Sequence, residues 1–383
     1  MDRRNFIKTS AAGFAGLAML DHITPAFAQD VQVKENDKYS IVILGDTHYD
    51  AEDPEKYHAG YTDPSPTREA NHRREFGRNG RMWAGRSRQL VKRAACLVDE
   101  DTRFTLQMGD LIQGDTATEE AHRRFLDDAF NLFKNELAPD LPFVTVAGNH
   151  DLRGNDDALC TRVYTEYMTA RMTQELGQEI HSTNFLFHSG PDVFVVINFT
   201  KPNVEEITSL LKQARGARHV FVVVHGPVFP YDNPKYFWWT LLGSKKDKHA
   251  EERRQMRALL ASLNAIVLCG HTHATEFVDW YGDGGRITQM TMSSVWANEE
   301  QANYKELASG PEEYGSLFAK LNPENATEAN LALFAEYRAG MKAYSTASSA
   351  GSYKLNVEGG RVWVDFYGGD SPRLTKRFIL REP

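Results

Sequence analysis

Five short apolar segments recur along the chain, and each leads directly into a polar turn that contains glycine. They are rich in β-branched and aromatic residues, which is typical of strands covered on both faces. We predict a strand in each of them. The five segments are residues 40–44, 104–108, 143–147, 220–224 and 265–268.

Helical periodicity lies between these segments, most clearly at residues 118–137. Apolar residues recur there at four-residue intervals and form one stripe, as an amphipathic helix requires. Thr116 and Glu119 have the spacing of a capping box just ahead of this helix. Residues 85–98 and 250–263 predict two more helices. Strands that alternate with helices indicate an α/β layered fold.

Weaker patterns predict further strands and one hairpin. Gly359-Gly360 separates two apolar segments by two residues, which is the spacing of a tight hairpin turn. An alanine-rich stretch near residues 326–341 predicts a helix inside a polar, weakly patterned region. The additional strands are predicted at residues 185–187, 193–198, 287–292, 353–357 and 361–367.

Length and charge narrow the class of protein. The 383 residues suffice for a large core, and 41% apolar with 25% charged residues is the composition of an ordinary folded protein. The formal net charge of −8 argues against a general nucleic-acid binder, which needs a basic surface. The three cysteines are widely spaced and indicate neither a disulfide framework nor a zinc–cysteine site. Cys269 lies in an apolar segment, so we expect it in the core.

The first 28 residues have the features of an export signal. A charged start with Arg3-Arg4 precedes a short apolar stretch and an A-x-A cleavage motif at residues 26–28. The apolar stretch is too short to span a bilayer of ~30 Å. The start resembles a twin-arginine signal, so we expect passage through the twin-arginine translocon and cleavage after residue 28.

The mature chain is then expected to be periplasmic or otherwise extracytoplasmic, with no stable membrane anchor. An uncleaved N-terminal anchor is the alternative. We expect residues 29–383 to form a single domain.

Polar side chains cluster where the five main predicted strands end. In open α/β sheets the carboxyl ends of the strands border the ligand crevice, so side chains from five separate segments should meet there. These side chains are Asp46, His48, Asp110, Asn149, His150, His225, His271 and His273.

Carboxylate, imidazole and amide groups in such a set suit divalent transition metals such as manganese, iron or zinc. The donors are too many for one tetrahedral zinc ion, but two metals about 3.5–4 Å apart with a shared carboxylate would use them. In an extended segment, residues i and i+2 point to the same side, so His271 and His273 can direct two donors to one place. The D-x-H of residues 46–48 can do the same. We therefore predict two divalent transition metal ions.

The order of these blocks resembles the calcineurin-like metallophosphoesterase family, whose motifs run D-x-H, GD, GNH[DE], H and GH-x-H. All five blocks are present between residues 39 and 277. The resemblance implies a metallophosphoesterase-like αββα sandwich, in which two mixed β-sheets are flanked by helices. Segments near residues 50–95 and 298–350 would be insertions into this domain.

The resemblance also implies a role for each motif residue. The first metal ion would be bound by Asp46, His48 and His273. The second would be bound by Asn149, His225 and His271, with Asp110 as the bridge. His150 would stand beside the scissile phosphate. Asp151 follows it, and this residue either takes part in catalysis or only orients the loop.

A phosphoesterase reaction follows from these roles. Two cations can acidify a shared water, and the metal-bridging hydroxide would attack the phosphorus of a phosphorylated small molecule. His150 would act as the general acid for the leaving group. The alternatives are a nuclease on the same fold and a non-catalytic scaffold. The sequence does not choose between a monoester and a diester.

Gln113 separates the chain from two branches of the family. Purple acid phosphatases have a tyrosine three residues after the bridging aspartate, and protein Ser/Thr phosphatases have an aspartate there. Gln113 argues against both, and against an iron–tyrosinate chromophore. Asp115, two residues further on, is either an outer hydrogen-bond acceptor for the site or a plain loop charge.

Two segments near the motifs are candidates for substrate binding. Residues 68–93 are rich in arginine and form either a basic lid over a polyanionic substrate or a solvated helix face with a loop. Within them, Asn71, Arg78 and Trp83 are candidates to shape the pocket. The aromatic segment 227–239 would either stack on an organic group of the substrate or cap the sheet.

Overall fold

Two mixed β-sheets pack against each other in the computed structural model, which describes residues 38–232, 240–242, 249–295, 304–321 and 323–383. The contact between the sheets includes aromatic pairs. Phe104 of the smaller sheet lies with its ring centroid 5.4 Å from Phe187 and 5.2 Å from Phe194 of the larger sheet. The described residues belong to one compact unit, Asn36–Pro383. The predicted export signal lies outside the described residues.

The smaller sheet contains β1 (Lys38–Leu44), β2 (Thr102–Gln107), β3 (Phe143–Thr145), β12 (Gly351–Glu358), β13 (Arg361–Gly368) and β14 (Lys376–Arg381). Their spatial order is β14-β13-β12-β1-β2-β3. The first three strands of the chain run parallel to each other, and the last three pair antiparallel. β1 lies in the middle, with Ile41 paired to Leu355 on one side and to Phe104 on the other.

The larger sheet contains β4 (Phe185–Ser189), β5 (Asp192–Ile197), β6 (Val220–Val224), β7 (Ile266–Cys269), β8 (Ala274–Gly282), β9 (Gly285–Thr291), β10 (Tyr304–Ser309) and β11 (Met341–Ser349). Their spatial order is β10-β11-β8-β9-β7-β6-β5-β4. β5, β6, β7 and β9 are parallel neighbours, so this sheet also has a parallel centre with antiparallel flanks.

Helices cover the outer faces of both sheets. They are α1 (Glu55–His58), α2 (Pro66–Met82), α3 (Arg88–Ala95), α4 (Glu119–Leu137), α5 (Asp157–Leu176), α6 (Val204–Gln213), α7 (Ala250–Ser262), α8 (Ser316–Leu321) and α9 (Glu328–Arg338). Leu90 and Phe125 of α3 and α4 join the core that includes the smaller sheet. Ile207 and Leu260 of α6 and α7 join the core on the outside of the larger one. This αββα arrangement confirms the predicted fold class.

The strongest sequence patterns predict their elements closely. The predicted helix at residues 118–137 is α4, and the predicted strand at 220–224 is β6. Gly359-Gly360 forms the predicted two-residue hairpin, because Glu358 pairs with Arg361 across it. Cys269 is fully buried, as expected.

The predicted cap of α4 and the predicted start of α3 are wrong. Thr118, not Thr116, is the N-cap of α4, and its hydroxyl accepts a hydrogen bond from the Ala121 amide at 3.2 Å. The Thr116 hydroxyl instead lies 3.0 Å from a ring nitrogen of His122. The helix predicted at residues 85–98 begins only at Arg88, because a π-helical turn with a non-helical Gly85 precedes it.

The sequence pattern does not predict several elements that the structure contains. Glu276 and Asp279 interrupt the apolar pattern of β8, and the small hydroxyl-rich residues of β11 give no apolar periodicity. Helix α2 has a polar sequence, with Phe76 as its one buried large apolar side chain. It begins at a Ser65 cap and Pro66, which are local start signals. Among the described helices, none is long and apolar enough to cross a bilayer.

Candidate metal centre

Five loops meet at the carboxyl ends of β1, β2, β3, β6 and β7. Each loop follows its strand directly, so the strand order of the two sheets decides which side chains become neighbours. Residues 46–48, 110 and 149–151 come from the smaller sheet, and residues 225 and 271–273 come from the larger one. The structure therefore brings the predicted residues together between the ends of both sheets.

The backbone of these loops is unusual for non-glycine residues. His48, Asp110, His271 and His273 have φ values of 40°, 51°, 72° and 55°. This left-handed region is sparsely populated by side chains with a Cβ, and such residues concentrate at functional sites. The surrounding fold holds four of the predicted ligands in this conformation.

Two glycines permit the close approach of neighbouring loops. A Cβ on Gly148 would lie 2.0 Å from the backbone nitrogen of Asp110, and a Cβ on Gly270 would lie 2.3 Å from Oδ1 of Asp46. The backbone amides beside these glycines bind the carboxylates. His150 N donates to Asp110 Oδ1 at 2.8 Å, and His271 N donates to Asp46 Oδ1 at 2.9 Å. Each aspartate thus has one oxygen fixed by backbone and the other directed elsewhere.

A first cluster consists of Asp46, His48 and His273. The Nε2 atom of His273 lies 3.0 Å from Asp46 Oδ2 and 3.0 Å from the Nε2 atom of His48. One potential ligand atom from each residue lies within 4.8 Å of the others. Asp46 is fully buried and His48 nearly so.

A second cluster consists of Asp110, His225 and His271. The Nε2 atom of His225 lies 3.1 Å from Asp110 Oδ2 and 3.1 Å from Nδ1 of His271. Nδ1 of His225 donates to the Met108 carbonyl at 2.6 Å, so Nε2 of the neutral ring offers its lone pair to the cluster. One potential ligand atom from each of these three residues also lies within 4.8 Å of the others.

Asp110 lies between the two clusters. Its Oδ2 atom is 3.1 Å from His225 Nε2 in the second cluster and 3.6 Å from His48 Nε2 in the first. Its Oδ1 atom is held by the His150 amide. One oxygen of a single carboxylate therefore faces both groups of histidines.

These donors fit a pair of metal ions. Ligand atoms bonded to one ion at about 2.0–2.1 Å and roughly 90° apart are separated by ~3 Å, which is the spacing found within both clusters. The buried amide oxygen of Asn149 accepts no hydrogen bond from the described residues, and a cation would satisfy it. Two buried carboxylates also need compensating positive charge. Manganese, iron or zinc would suit oxygen and imidazole donors of this kind.

The electrostatics favour carboxylates that are charged and histidines that are mostly neutral. Burial lowers the pKa of His48 to about 4 and that of His271 to about 3. Burial opposes ionisation of Asp110, but His225 and His150 hold its pKa well below the usual range. Burial likewise opposes a proton on His225, but Asp110 and Asp46 raise the pKa of that ring to about 9. A proton and a metal cation therefore compete for the same place beside His225.

His150 stands at the edge of the clusters. Its ring centroid lies 4.4 Å from that of His48, and one of its ring nitrogens lies within 4.8 Å of ligand atoms of His48 and Asp110. Nδ1 donates to the Gln113 carbonyl at 3.0 Å, because a carbonyl can only accept. This bond leaves Nε2 as the ring nitrogen that is not used by the backbone.

Asp151 has a structural position. Its two oxygens accept hydrogen bonds from the amides of Ile112 at 3.1 Å and Gly148 at 2.9 Å, so it joins the two loops that flank Asp110. Burial, followed by the charge of Asp110, raises the pKa of Asp151 to about 7. These contacts favour the interpretation that Asp151 orients the loop.

Asp115 is a buried acceptor and not a surface charge. Its carboxylate is fully buried, accepts a hydrogen bond from Arg153 Nη2, and lies 3.3 Å from His72 Nδ1 and 3.3 Å from Gln113 Nε2. Burial opposes ionisation of Asp115, but the Arg153 guanidinium and the His72 hydrogen bond hold its pKa well below the usual range.

The segment at residues 68–93 contributes polar residues to the site more than basic ones. Trp83 is buried and donates from its indole nitrogen to the carbonyls of Thr47 at 3.0 Å and His48 at 2.9 Å. Asn79 donates to the side chain of Gln113. Asn71 and Arg78 are exposed.

Several arginines of this segment lie on the protein surface with partners away from the centre. Arg68 pairs with Asp63, Arg73 with Glu69 and Arg88 with Glu136. This arrangement is that of a solvated helix face.

The aromatic segment at residues 227–239 is described only as far as residue 232. Phe229 is fully buried, and its ring lies 5.9 Å from Trp280 and 5.3 Å from Tyr337. The described part therefore caps the outer face of the larger sheet. The aromatic residues at positions 236–239 lie outside the described residues.

The sequence analysis missed Arg153. Its Nη1 atom lies 3.5 Å from His150 Nε2, the ring nitrogen that is not bonded to the Gln113 carbonyl. The local signal was available, because Arg153 follows the GNHD motif by two positions. Its carboxylate partners could not be read from the sequence, since Glu75 and Asp115 come from distant segments.

Fold and site together define a class: an αββα sandwich with acid–histidine clusters that can hold metal at the junction of its two sheets. A family model for calcineurin-like phosphoesterases matches residues 39–275, which is more than half of the chain. The chain therefore belongs to the calcineurin-like phosphoesterase family. A comparison with curated proteins gave no match.

Three solved structures resemble the chain at low sequence identity. GAP50, the anchor in the inner membrane complex of Plasmodium, is 13% identical, with 90% of this chain and 89% of that chain covered and a TM-score of 0.46. PhoD is 10% identical, with 88% and 68% covered and a TM-score of 0.49. An uncharacterised, predicted phosphoesterase from Streptococcus pneumoniae is 11% identical, with 89% and 98% covered and a TM-score of 0.31. Likenesses of this size say nothing about substrate.

Proposed function

We propose that this protein is a dinuclear-metal phosphoesterase that hydrolyses a phosphate ester. The observation that supports it best is the position of Asp110, whose Oδ2 atom faces His225 at 3.1 Å and His48 at 3.6 Å. A carboxylate oxygen shared between two groups of imidazoles suits a bridge between two cations. Family membership supports the phosphoesterase chemistry.

The proposed ligands divide between the two clusters. The first ion would be held by Asp46, His48 and His273, and the second by Asn149, His225 and His271, with Asp110 shared. When bound, such a pair supplies an acidified water and positive charge for the phosphate oxygens. The chain itself orients the ligands: the Met108 carbonyl fixes the ring of His225, and backbone amides fix one oxygen of each aspartate.

His150 is the proposed general acid. Its Nδ1 hydrogen is bonded to the Gln113 carbonyl, so the proton for the leaving group would be carried on Nε2. Burial, followed by the Arg153 guanidinium, lowers the pKa of His150 well below its usual value, so the negative charge of the bound ester would be needed to keep that proton on Nε2. From there it can be donated to the leaving oxygen of the ester. Asp151 would hold the loop that positions His150, through the amides of Ile112 and Gly148.

We propose a phosphorylated small molecule as the substrate and an extracytoplasmic location. The net charge of −8 disfavours a polyanionic nucleic acid. The location rests on the twin-arginine-like start of residues 2–28 alone.

Asp110→Ala tests the proposed activity directly. We expect the purified wild type, supplied in turn with manganese, iron and zinc, to hydrolyse chromogenic phosphate esters. Asp110→Ala should lose roughly 100-fold or more of this rate, because it removes the shared ligand. The wild type should retain two metal equivalents by elemental analysis and the variant fewer.

Asp140→Ala is the matched control, since it removes an exposed aspartate in the turn before β3, at the opposite end of that strand from the GNHD loop. It should leave rate and metal content unchanged. Equal rates for wild type and Asp110→Ala would exclude the proposed centre. Absence of metal after supplementation would favour a scaffold. Cleavage of single- or double-stranded DNA in preference to small esters would favour a nuclease.

A further inference from the structure

Arg153 places a guanidinium group directly beside the proposed general acid. It follows the short 3₁₀ turn His150–Leu152, and its side chain is 23% exposed, so one part of it reaches solvent. Nη1 lies 3.5 Å from His150 Nε2. That separation is too long for a strong hydrogen bond between the two groups. The spacing allows both groups to face the same bound phosphoryl group.

The rest of the guanidinium is firmly held. Nη2 donates to the fully buried Asp115 carboxylate and lies 3.5 Å from Glu75 Oε2. The side-chain nitrogen of Gln113 donates to both of these carboxylates at 3.3 Å. Because one edge of a planar guanidinium is fixed in this way, the direction of its other nitrogen is fixed too.

The residues that hold Arg153 come from three separate parts of the chain. Glu75 and His72 lie on α2, Gln113 and Asp115 lie in the loop after β2, and Arg153 follows the GNHD motif. Asp115 has a φ of 56°, and a Cβ on the preceding Gly114 would lie 2.1 Å from the His150 carbonyl. The loop is therefore packed against the turn that holds His150.

We propose that Arg153 determines substrate specificity by binding a non-bridging oxygen of the phosphoryl group, and that the site thereby prefers phosphomonoesters to phosphodiesters. This inference rests on the proposed phosphoesterase function. Arg153 is the residue that touches substrate, while Asp115, Glu75 and Gln113 position it.

The oxygen count of the two ester classes gives the reason for the preference. A phosphomonoester has three non-bridging oxygens and a charge near −2 at neutral pH, whereas a diester has two such oxygens and a charge of −1. If two non-bridging oxygens face the two side-chain clusters, only the monoester has a third oxygen for Arg153. A guanidinium matches such an oxygen in charge and geometry.

The test compares both ester classes in wild type, Arg153→Gln, Arg153→Lys and Asp115→Asn. For Arg153→Gln we expect kcat/KM for p-nitrophenyl phosphate to fall about 10- to 100-fold, the value of one charge-assisted hydrogen bond. We expect kcat/KM for bis(p-nitrophenyl) phosphate to change less than about 3-fold, because the diester has no third non-bridging oxygen for Arg153 to bind. For Arg153→Lys and Asp115→Asn, kcat/KM for p-nitrophenyl phosphate should lie between the values of wild type and Arg153→Gln.

A binding measurement separates this role from a general loss of activity. Titration calorimetry on metal-loaded protein should show that Arg153→Gln binds inorganic phosphate about 10-fold or more weakly, with dimethyl phosphate binding little affected. Metal content should match the wild type. Arg162→Gln, which removes a half-exposed arginine of α5, is the control and should change neither measurement.

The failures of the two proposals are distinguishable. If metal-loaded wild type hydrolyses neither ester, the phosphoesterase proposal fails. If it hydrolyses esters, but Arg153→Gln and Arg153→Lys lower kcat/KM equally for both substrates and phosphate binding is intact, Arg153 has only a structural role. Asp115→Asn keeps the arginine charge, so it gives an independent answer if Arg153→Gln does not fold.

Discussion

Gly148 permits the approach of two loops on which the proposed centre depends. Replacing it by alanine would put a Cβ 2.0 Å from the Asp110 backbone nitrogen and 2.2 Å from Asp110 Oδ1. Backbone cannot yield as a flexible side chain does, so Asp110 must move. We expect Gly148→Ala to lose metal and ester hydrolysis together and to melt at a lower temperature, because the clash falls in a close-packed region.

Gly77→Ala is the matched control for this prediction. Gly77 lies inside α2, and its nearest neighbour to an added Cβ is the flexible end of Arg81 at 3.4 Å. The substitution should stabilise the protein by about 0.4–1 kcal/mol, since it reduces the freedom of the unfolded chain. The prediction for Gly148 would be contradicted by normal metal content in Gly148→Ala, since the two loops would then tolerate the added Cβ.

The motif residues were identifiable from sequence because their chemistry is local. A glycine, an acid and a histidine directly after an apolar strand can be recognised in the one-dimensional pattern, as at residues 109–110 and 270–273. The position of Arg153 beside His150 could not be predicted in the same way. Its place depends on Asp115, which the loop after β2 brings beside it, and on Glu75, which the packing of α2 brings there.

Strand β8 contains a buried acid that its sequence does not explain. Glu276 pairs with Thr291 and Thr346 on the neighbouring strands and is fully buried, and neither carboxylate oxygen has a hydrogen-bond partner among the described residues. Burial, with a further contribution from Asp232, raises the pKa of Glu276 well above its usual value. The strand therefore tolerates this residue best in its neutral form.

We expect Glu276→Gln to stabilise the protein, and more so at higher pH. The pKa of this carboxyl is higher in the folded state than its unfolded value of about 4.3. The unfolding free energy is therefore highest below pH 4.3 and falls as the pH rises from there toward the folded pKa. Glutamine has nearly the same shape and does not titrate. The gain in unfolding free energy should be at least about 1 kcal/mol at pH 8 and smaller at pH 5.

Urea denaturation at the two pH values measures this difference. Glu100→Gln removes an exposed glutamate and should leave stability nearly unchanged at both. A gain that is the same at pH 5 and pH 8 would show that Glu276 is not the titrating group.

Helices and strands were predicted most accurately where the apolar pattern in the sequence was strongest. The stripe of α4 and the continuous apolar run of β6 predicted their bounds closely, because each has a face or both faces in the core. Strands β10 and β11 extend the larger sheet within a region that has no apolar periodicity. Their pairing is decided by neighbouring strands, so no local signal was present to find.

The proposed metal centre would draw its ligands from both sheets, so bound ions should stabilise the whole fold. Asp46 and Asp110 follow strands of the smaller sheet, whereas His225 and His271 follow strands of the larger one. A ligand that binds only the folded state adds about 4 kcal/mol at 1,000 times its Kd. We expect a chelator to lower the melting temperature of the wild type by several degrees, and metal addition to restore it.

Asp110→Asn separates this effect from a general action of the chelator. The variant lacks the shared carboxylate charge, so its melting temperature should respond little to chelator or to added metal. An equal response in wild type and variant would place the stabilising ion outside the proposed centre.

The central position of β1 in its sheet has a consequence for biosynthesis. β1 precedes Asp46 directly, and one of its edges is covered by β12, whose Leu355 pairs with Ile41. A nascent chain emerging from the ribosome cannot close this edge until residue 358 is free, although the segment matched by the family model ends at residue 275. The cations would therefore meet a completed site only after β12 has been synthesised, well after the last motif residue, His273, has left the ribosome.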